Sequence, residues 1–154
     1  MRISLICVGK LGSSPESQLA TDYAARATAA GRALGLIPIE IIEVEARKPG
    51  KAAEAEVILA RVGNAQLIAC DERGKARTSR DFAAHLAQLR DDGVRHLAFA
   101  IGGADGLDGS VRQAARESIA FGPQTWPHAL ARAMLAEQIY RAVSILAAAP
   151  YHRD

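Results

Sequence analysis

The chain has 154 residues, of which 49% are hydrophobic and 23% are charged, and its formal net charge is +2. This length and composition favour one compact domain over residues 1–154 and exclude an intrinsically disordered chain. The small net charge gives only weak support for a nucleic-acid partner.

The two cysteines, Cys7 and Cys70, lie in apolar segments and are expected to be buried free thiols. No spacing of residues indicates a disulfide framework or a metal site. The first residues lack the layout of a signal peptide, and no apolar segment is long enough to cross a membrane. We therefore expect a cytoplasmic protein that binds neither a metal nor a membrane.

The first third of the chain predicts a strand, a helix and a second strand. The apolar run at residues 3–8 is typical of a buried strand and ends at Gly9. Ser14 is expected to cap a helix whose first position is a proline, and apolar residues continue at helical spacing to Leu34. The isoleucine-rich segment 37–44 predicts the second strand.

The middle of the chain continues this alternation. A helical pattern at residues 52–62 precedes a third strand, predicted at 66–71, and a loop that contains Gly74. Ser79 is expected to cap the next helix, and the fourth strand is predicted at 95–101.

The last third begins with a glycine-rich loop, Gly102–Gly106, directly after the fourth strand. Asp108 is expected to cap a short helix, and residues 118–121 predict a short fifth strand. The final helix is predicted over residues 127–146, and Pro150 is expected to stop it.

This alternation predicts an α/β fold in which a mostly parallel sheet has helices on both faces. In such sheets, ligands bind beyond the carboxyl ends of the strands. Three predicted loops lie there, at residues 71–75, 102–106 and 121–127, and we expect them to line one pocket. The glycine loop matches neither the dinucleotide fingerprint nor the P-loop, so a simple tight turn stays open as its explanation.

Basic residues cluster in two predicted loops. The clusters are Arg47, Lys48 and Lys51, and then Arg73, Lys75, Arg77 and Arg80. A solvated surface is the simpler interpretation of each cluster, but the two together favour phosphate binding modestly.

The end of the chain reads Tyr151-His152-Arg153-Asp154. An aromatic ring can stack on a base and a guanidinium can bind a phosphate, so this tail is a candidate functional surface. The alternative is a tail that only packs on the core. His128, at the start of the final helix, is as well explained by a plain polar role as by a catalytic one.

Four segments resemble one known family. They are Ile101–Leu107, Thr125–His128 with Leu130 and Arg132, Leu135–Ala142, and Pro150–Arg153. Together with the opening Val8-Gly9-Lys10, they are similar along the whole chain to the RlmH family of the SPOUT superfamily of methyltransferases.

The resemblance implies a trefoil-knotted α/β fold, a homodimer, and S-adenosylmethionine held in the knot. The implied reaction is methylation of N3 of a pseudouridine in 23S ribosomal RNA of the large ribosomal subunit. The implied cofactor-binding residues are Cys70, Gly102, Phe121, Gly122, Pro123, Gln124, Thr125 and Trp126. They fall on the three loops that the sheet argument selects.

A sulfonium methyl group is already activated, so such an enzyme has to align the nucleophile and favour loss of the N3 proton. The candidate catalytic residues are Tyr151, His152 and Arg153, with His128 behind them. Two other functions stay open. One is a SPOUT methyltransferase that acts on another RNA base, and the other is a non-catalytic module that binds RNA or the ribosome.

Overall fold

Five strands alternate with five α-helices in the computed structural model, which describes residues 1–152. The strands are Arg2–Val8 (β1), Ile39–Val44 (β2), Gln66–Ala76 (β3), His96–Ile101 (β4) and Glu117–Ala120 (β5). The helices are Pro15–Gly31 (α1), Lys51–Val62 (α2), Ser79–Asp91 (α3), Gly109–Ala114 (α4) and His128–Leu146 (α5). A 3-10 turn, Arg32–Leu34, extends α1. The predicted alternation is confirmed.

The strands form one sheet in the order β2-β1-β4-β3-β5, and every neighbouring pair is parallel. Because the strands are parallel, all their carboxyl ends lie along one edge of the sheet. The central strand β4 is almost completely buried, from Leu97 to Ile101. The predicted parallel α/β fold is therefore confirmed.

Helices cover both faces of the sheet, as predicted. On one face, α1, α3 and α5 pack on side chains such as Leu5 and Phe99. On the other face, α2 and α4 pack on Ile6 and Ala100. Since successive residues of a strand point to opposite faces, neighbouring apolar residues of β1 and β4 enter different cores.

Local capping explains where several helices begin. The Ser14 hydroxyl accepts a hydrogen bond from the Ser17 N–H at 3.2 Å, as predicted for the start of α1. Asp108 caps α4 by accepting from the Ser110 N–H at 2.9 Å. The cap of α3 is Thr78 and not the predicted Ser79, because the Thr78 hydroxyl is the group that accepts from a backbone N–H of the first turn.

The predicted end of the third strand is wrong. The strand β3 does not stop at Asp71 but continues to Ala76, because its second half also pairs with β5. Cys70 and Lys75 both lie opposite Ile119, so residues 71–74 form a bulge within the strand. Gly74 is needed there, since a Cβ atom at this position would lie 2.5 Å from the carbonyl carbon of Ile119.

Pro150 does not stop the last helix. The helix α5 ends at Leu146, four positions earlier, where Ala148 takes a left-handed conformation with φ of 51°. The Ala149 N–H donates to the Ser144 carbonyl at 2.9 Å, and the Ala148 N–H donates to the Ile145 carbonyl at 3.1 Å. This pair of bonds is a Schellman motif, which reverses the chain.

Candidate functional site

A cleft of about 740 Å³ opens at the carboxyl ends of β3, β4 and β5. Its walls come from the β3 bulge, from the glycine loop after β4, and from the segment between β5 and α5. The three segments that sequence reasoning selected therefore meet at one cleft. Its volume lies within the range of about 300–1,000 Å³ that is typical of small-molecule sites.

The glycine loop is a tight turn that is built into the cleft wall. Gly103 and Gly106 form an antiparallel bridge, and the Gly106 N–H donates to the Gly103 carbonyl at 3.0 Å. A Cβ atom at Gly102 would lie 2.6 Å from the backbone of Gly106. Both sequence interpretations thus hold at once, because the glycines are required by the turn and the turn brings backbone groups to the cleft.

The loop before α5 is closed by its own hydrogen bonds. The Trp126 indole N–H donates to the Phe121 carbonyl at 3.2 Å, and Gly122 has a φ of 100° that favours glycine. The Thr125 hydroxyl donates to Glu72 Oε2 at 2.9 Å, which ties this loop to the β3 bulge. The indole ring, 38% exposed, is left at the lip of the cleft.

An ion pair joins the β3 bulge to the glycine loop. Arg112 Nη1 lies 3.2 Å from Asp71 Oδ2 and donates to the Leu107 carbonyl at 2.6 Å. The other oxygen of Asp71 accepts from the Arg73 N–H at 2.9 Å. These contacts fix the wall of the cleft before any ligand binds.

The lining of the cleft suits a ligand with charged groups of both signs and a flat apolar part, because basic side chains line it beside acidic ones. The carboxylates of Asp71, Glu72 and Asp105 face it from two walls, while Ile101 and Ile119 supply apolar surface. S-adenosylmethionine carries a sulfonium, an ammonium and an adenine ring, so these residue types fit it.

Most of the expected cofactor residues lie in this lining. They are Cys70, Gly102, Phe121, Gly122, Gln124, Thr125 and Trp126, and the eighth, Pro123, belongs to the same loop without lining the cleft. Both cysteines are free, as predicted, although Cys70 is only partly buried. Burial raises the pKa of the Cys70 thiol above its ordinary value, so this side chain is a neutral lining group.

The structure does not bring the tail to the cleft of the same chain. Tyr151 and His152 are absent from the lining of the cleft, and the Tyr151 ring packs on α5 instead. Arg153 lies outside the described residues. His152 Nδ1 is buried and has no hydrogen-bond partner among residues 1–152. Of the histidines considered, only His128 lines the cleft.

The position of Tyr151 favours the alternative in which the tail packs on the core. Its hydroxyl donates to Glu137 Oε1 at 3.0 Å and lies 3.3 Å from the Tyr23 hydroxyl. Its ring lies 4.5 Å from the Tyr140 ring between centroids. Burial is the main cause that raises the pKa of Tyr151, followed by hydrogen bonding with Tyr23 and Glu137.

Sequence reasoning missed most of this arrangement. The pairing of Glu137 with Arg141 was visible from their spacing of four residues, and Arg141 Nε does donate to Glu137 Oε1 at 2.9 Å. No signal pointed to Tyr23, because it precedes Tyr151 by 128 residues.

A second groove, of about 560 Å³, lies beside the cleft. It is bordered by α1, α5 and the ends of β3 and β5, and it shares the wall from Ile119 to Gly122 with the cleft. Leu19 and Leu130 line it and are 47% and 37% exposed. An apolar groove with exposed leucines at its rim is typical of a surface that binds another protein.

The two basic clusters do not act alike. Lys51 and Arg73 line the cleft, and Lys75 lines the groove. Arg77 is largely buried, and its Nη2 lies 2.7 Å from Glu117 Oε2. His85 contacts the other oxygen of the same carboxylate. The expected phosphate-binding role therefore fits Lys51 and Arg73 better than Arg77.

The structure can be searched over residues 1–152 for a membrane-spanning helix and for a metal site. Within that part of the chain, no helix is both long and apolar enough to cross a membrane. The same residues contain no group of three or more histidine, cysteine or acidic side chains placed to hold a metal ion.

Comparison with known sequences gives a match over nearly the whole chain. The family model described as "Predicted SPOUT methyltransferase" matches residues 1–152. The protein named ribosomal RNA large subunit methyltransferase H in Caulobacter sp. (strain K31) is 68% identical, and the match covers 100% of both chains. The protein of the same name in Phenylobacterium zucineum (strain HLK1) is 65% identical, again over 100% of both chains.

Solved structures share the fold at low sequence identity. A probable methyltransferase from Bordetella pertussis Tohama I has a TM-score of 0.50 and 15% identity, over 92% of this chain and 95% of that one. A probable methylase family protein from Haemophilus influenzae Rd KW20 has a TM-score of 0.51 and 16% identity, over 99% and 70% of the two chains. These structures support the fold and carry no information on substrate.

Proposed function

Because this chain belongs to the family of SPOUT methyltransferases, we propose that it methylates ribosomal RNA of the large subunit, at N3 of a pseudouridine in 23S RNA. Methyltransferases of this family use S-adenosylmethionine. The observation that carries the proposal is the cleft at the carboxyl ends of β3, β4 and β5. It occurs in a chain that matches, over its whole length, relatives named ribosomal RNA large subunit methyltransferase H. The whole chain acts as one SPOUT domain.

The cleft is the proposed cofactor site. The backbone from Phe121 to Trp126 and the glycine loop at Gly102 would hold S-adenosylmethionine, while Asp71 and Glu72 would face its positive charges. When bound, this group supplies a methyl already activated by the sulfonium charge. The part left to the protein is to orient the acceptor base and to exclude water.

The acceptor nitrogen must lose a proton before it attacks well. We assign that task to the tail, where His152 can accept a proton and Arg153 can stabilise the resulting anion on the base. Tyr151 is a poor base at neutral pH, because its raised pKa keeps the phenol protonated. His128 lines the cleft and is the next candidate.

The proposal includes a homodimer. The apolar groove between α1 and α5, with Leu19 and Leu130 exposed at its rim, is the surface that a second copy would cover. A dimer would also give the tail of one copy access to the cleft of the other, since Tyr151 and His152 do not line the cleft of their own chain. Sedimentation at micromolar concentration tests this point, and a monomer there would contradict it.

Lys51 and Arg73 at the edge of the cleft are proposed to contact RNA phosphates, which would place the protein with ribosomes in the cytoplasm. The experiment that tests the function is mass spectrometry of 23S RNA from cells with and without this gene. We expect one methylated pseudouridine to disappear and to return on complementation. A lost methyl group on another base would contradict the assigned acceptor, and unchanged RNA would favour a non-catalytic binding module.

The cofactor site is tested with a matched pair of substitutions at the start of α5. Ala131 lines the cleft, whereas Ala129 lines neither the cleft nor the groove. Ala131→Phe should fill part of the cleft and weaken S-adenosylmethionine binding about tenfold or more, while Ala129→Phe should leave it unchanged. Calorimetry measures both, and equal effects would rule out the cleft as the site.

A further inference from the structure

The chain reverses direction after α5 and packs on that helix. The left-handed Ala148 and the bond from the Ala149 N–H to the Ser144 carbonyl reverse its direction. As a result, the Tyr151 ring lies 4.5 Å from the Tyr140 ring between centroids, and the Arg141 guanidinium lies 5.1 Å from the Tyr151 ring centroid. The ring of Tyr151 is therefore packed on α5.

The hydroxyl of Tyr151 is held from two helices. It donates to Glu137 Oε1 on α5 at 3.0 Å and lies 3.3 Å from the Tyr23 hydroxyl on α1. A phenol has one O–H, so Tyr151 donates a hydrogen bond to the carboxylate and accepts one from the Tyr23 hydroxyl. The Tyr140 hydroxyl has no hydrogen bond within residues 1–152, although its ring stacks on the same cluster.

Glu137 is a fixed acceptor rather than a mobile surface carboxylate. Its Oε1 accepts from Arg141 Nε at 2.9 Å and from Arg141 Nη2 at 2.5 Å, besides Tyr151. Its Oε2 accepts from Gln138 Nε2 at 2.7 Å, and Gln138 in turn accepts from the Ser79 hydroxyl at 2.8 Å. A carboxylate with donors on both oxygens keeps one orientation.

We propose that Tyr23 and Glu137 are positioning residues, which hold Tyr151 and thereby set the position of His152 for methyl transfer. We call Tyr23, Glu137 and Tyr151 the tail latch. The inference rests on the proposed catalytic role of the tail, and it makes Tyr151 a support for the tail and not a contact to the substrate. Because consecutive Cα atoms are about 3.8 Å apart, a fixed Tyr151 keeps the Cα atom of His152 within that distance.

The latch predicts a loss of turnover without a loss of cofactor binding. Neither Tyr23, Glu137 nor Tyr151 lines the cleft, so S-adenosylmethionine affinity should not change when they are altered. Removing the Tyr23 hydroxyl breaks one hydrogen bond of the latch and removing the Tyr151 hydroxyl breaks both, and we expect kcat to fall about two- to tenfold. The KM for RNA should change less than kcat, because the defect lies in alignment of the tail.

The first experiment uses single-oxygen changes in the full-length protein. Tyr23→Phe and Tyr151→Phe should each lower kcat, and the double variant should be no worse than the more severe single variant, since both hydroxyls serve one link. Tyr140→Phe is the matched control and should keep wild-type turnover. Tyr23 lines the groove proposed to bind a second copy, but Tyr23→Phe keeps the ring there, so sedimentation and melting temperature should stay close to wild type in all of them. Wild-type kcat in Tyr23→Phe, or losses that multiply in the double variant, would overturn the proposal.

A conservative change separates the latch from a purely structural ion pair. Glu137→Gln keeps an oxygen that can accept from Tyr151, whereas Glu137→Ala removes it. The latch predicts that the glutamine restores most of the turnover lost in the alanine variant. Equal losses in both would show that the ion pair with Arg141 matters and the link to Tyr151 does not.

Hydrogen–deuterium exchange tests the latch even if the proposed reaction is wrong. Exchange of the amides of Ala149, Tyr151 and His152 should speed up in Tyr23→Phe and in Glu137→Ala, and should stay unchanged in Tyr140→Phe. If exchange is faster in these two variants but the wild-type protein methylates no ribosomal RNA, the latch is supported and the proposed function is refuted. Unchanged exchange in Tyr23→Phe would refute the latch itself.

Discussion

Arg132 and Glu43 form an ion pair, and their different burial predicts which of the two side chains can be replaced at the lower cost in stability. Arg132, on α5, has 2% of its side chain exposed, and its Nη1 lies 2.5 Å from Glu43 Oε1. Its Nη2 donates to the Gly9 carbonyl at 3.0 Å. Glu43, on β2, has 30% of its side chain exposed and also accepts from the Leu11 N–H at 3.1 Å. One charge is therefore buried, while the other still reaches water.

This asymmetry sets the magnitudes. Glu43→Ala leaves the buried Arg132 guanidinium without a counter-charge, and we expect it to lower the free energy of unfolding by about 3–5 kcal/mol. Arg132→Met leaves a carboxylate that can take up water, and methionine fills most of the space. Its cost, about 1–3 kcal/mol, arises mainly because the carbonyl groups at the end of β1 lose their donor.

The double variant is the sharper test. With both side chains replaced, no unpaired charge remains, so Arg132→Met should restore part of the stability that Glu43→Ala removes. Urea unfolding followed by circular dichroism at one fixed protein concentration gives the four free energies. The exposed pair of Arg26 and Asp22, with 51% and 52% of the side chains exposed, is the control, and Asp22→Ala should cost less than about 1 kcal/mol.

Two outcomes would refute this reasoning. If Arg132→Met proved more destabilising than Glu43→Ala, the buried charge could not be the dominant cost. If the double variant lost the sum of the two single losses, the side chains would act independently, and the short contact between them would carry no energetic weight.

Three further predictions concern other parts of the fold. Burial would raise the pKa of Glu117, but Arg77 and His85 hold that pKa below its usual range. The ionised carboxylate therefore stabilises the fold above a pH of about 4.3, and this stabilisation is lost as the pH falls through the folded-state pKa. Glu117→Gln should flatten the acid side of a profile of melting temperature against pH. Gly74→Ala should cost about 1–3 kcal/mol in urea unfolding through collision with β5, whereas Gly109→Ala, with no atom closer than 3.7 Å to the added carbon, should cost less. Ala148→Gly should stabilise by about 1 kcal/mol and raise the melting temperature by about 2–4 °C, because glycine relieves the left-handed φ of 51°; an unchanged or lower melting temperature would count against that strain.

The elements were predictable because the signals that make them are local. Ser14 and Asp108 reveal helix starts within three residues of themselves, and apolar runs reveal buried strands. The β3 extension was not predictable, because exposed polar residues from Asp71 onward hide a strand whose second half is defined by pairing with β5. The end of α5 at Leu146 was predicted, but its cause was not, because Ala148 takes the left-handed conformation for which a glycine is the usual signal.

The cleft was predictable for a topological reason and the tail was not. Parallel strands end at one edge, so the loops that follow them meet there whatever their detailed conformation. The tail packs through contacts between residues far apart in sequence, such as Tyr23 with Tyr151, and no periodicity reports such a contact. The same holds for Arg132, whose partner Glu43 lies 89 residues earlier.

The helix α5 carries residues of both the proposed cofactor site and the tail latch. Ala131 lies in the cleft wall and Glu137 holds the tail, six residues or about 9 Å further along the helix. Arg132 fixes the start of α5 to the carboxyl ends of β1 and β2. A change at Arg132 moves the helix as a body, so it should alter cofactor affinity and turnover together. Tyr23→Phe removes only the hydroxyl that contacts Tyr151 and lies outside the cleft, so it should alter turnover without altering cofactor affinity. This difference separates a displaced helix from a released tail.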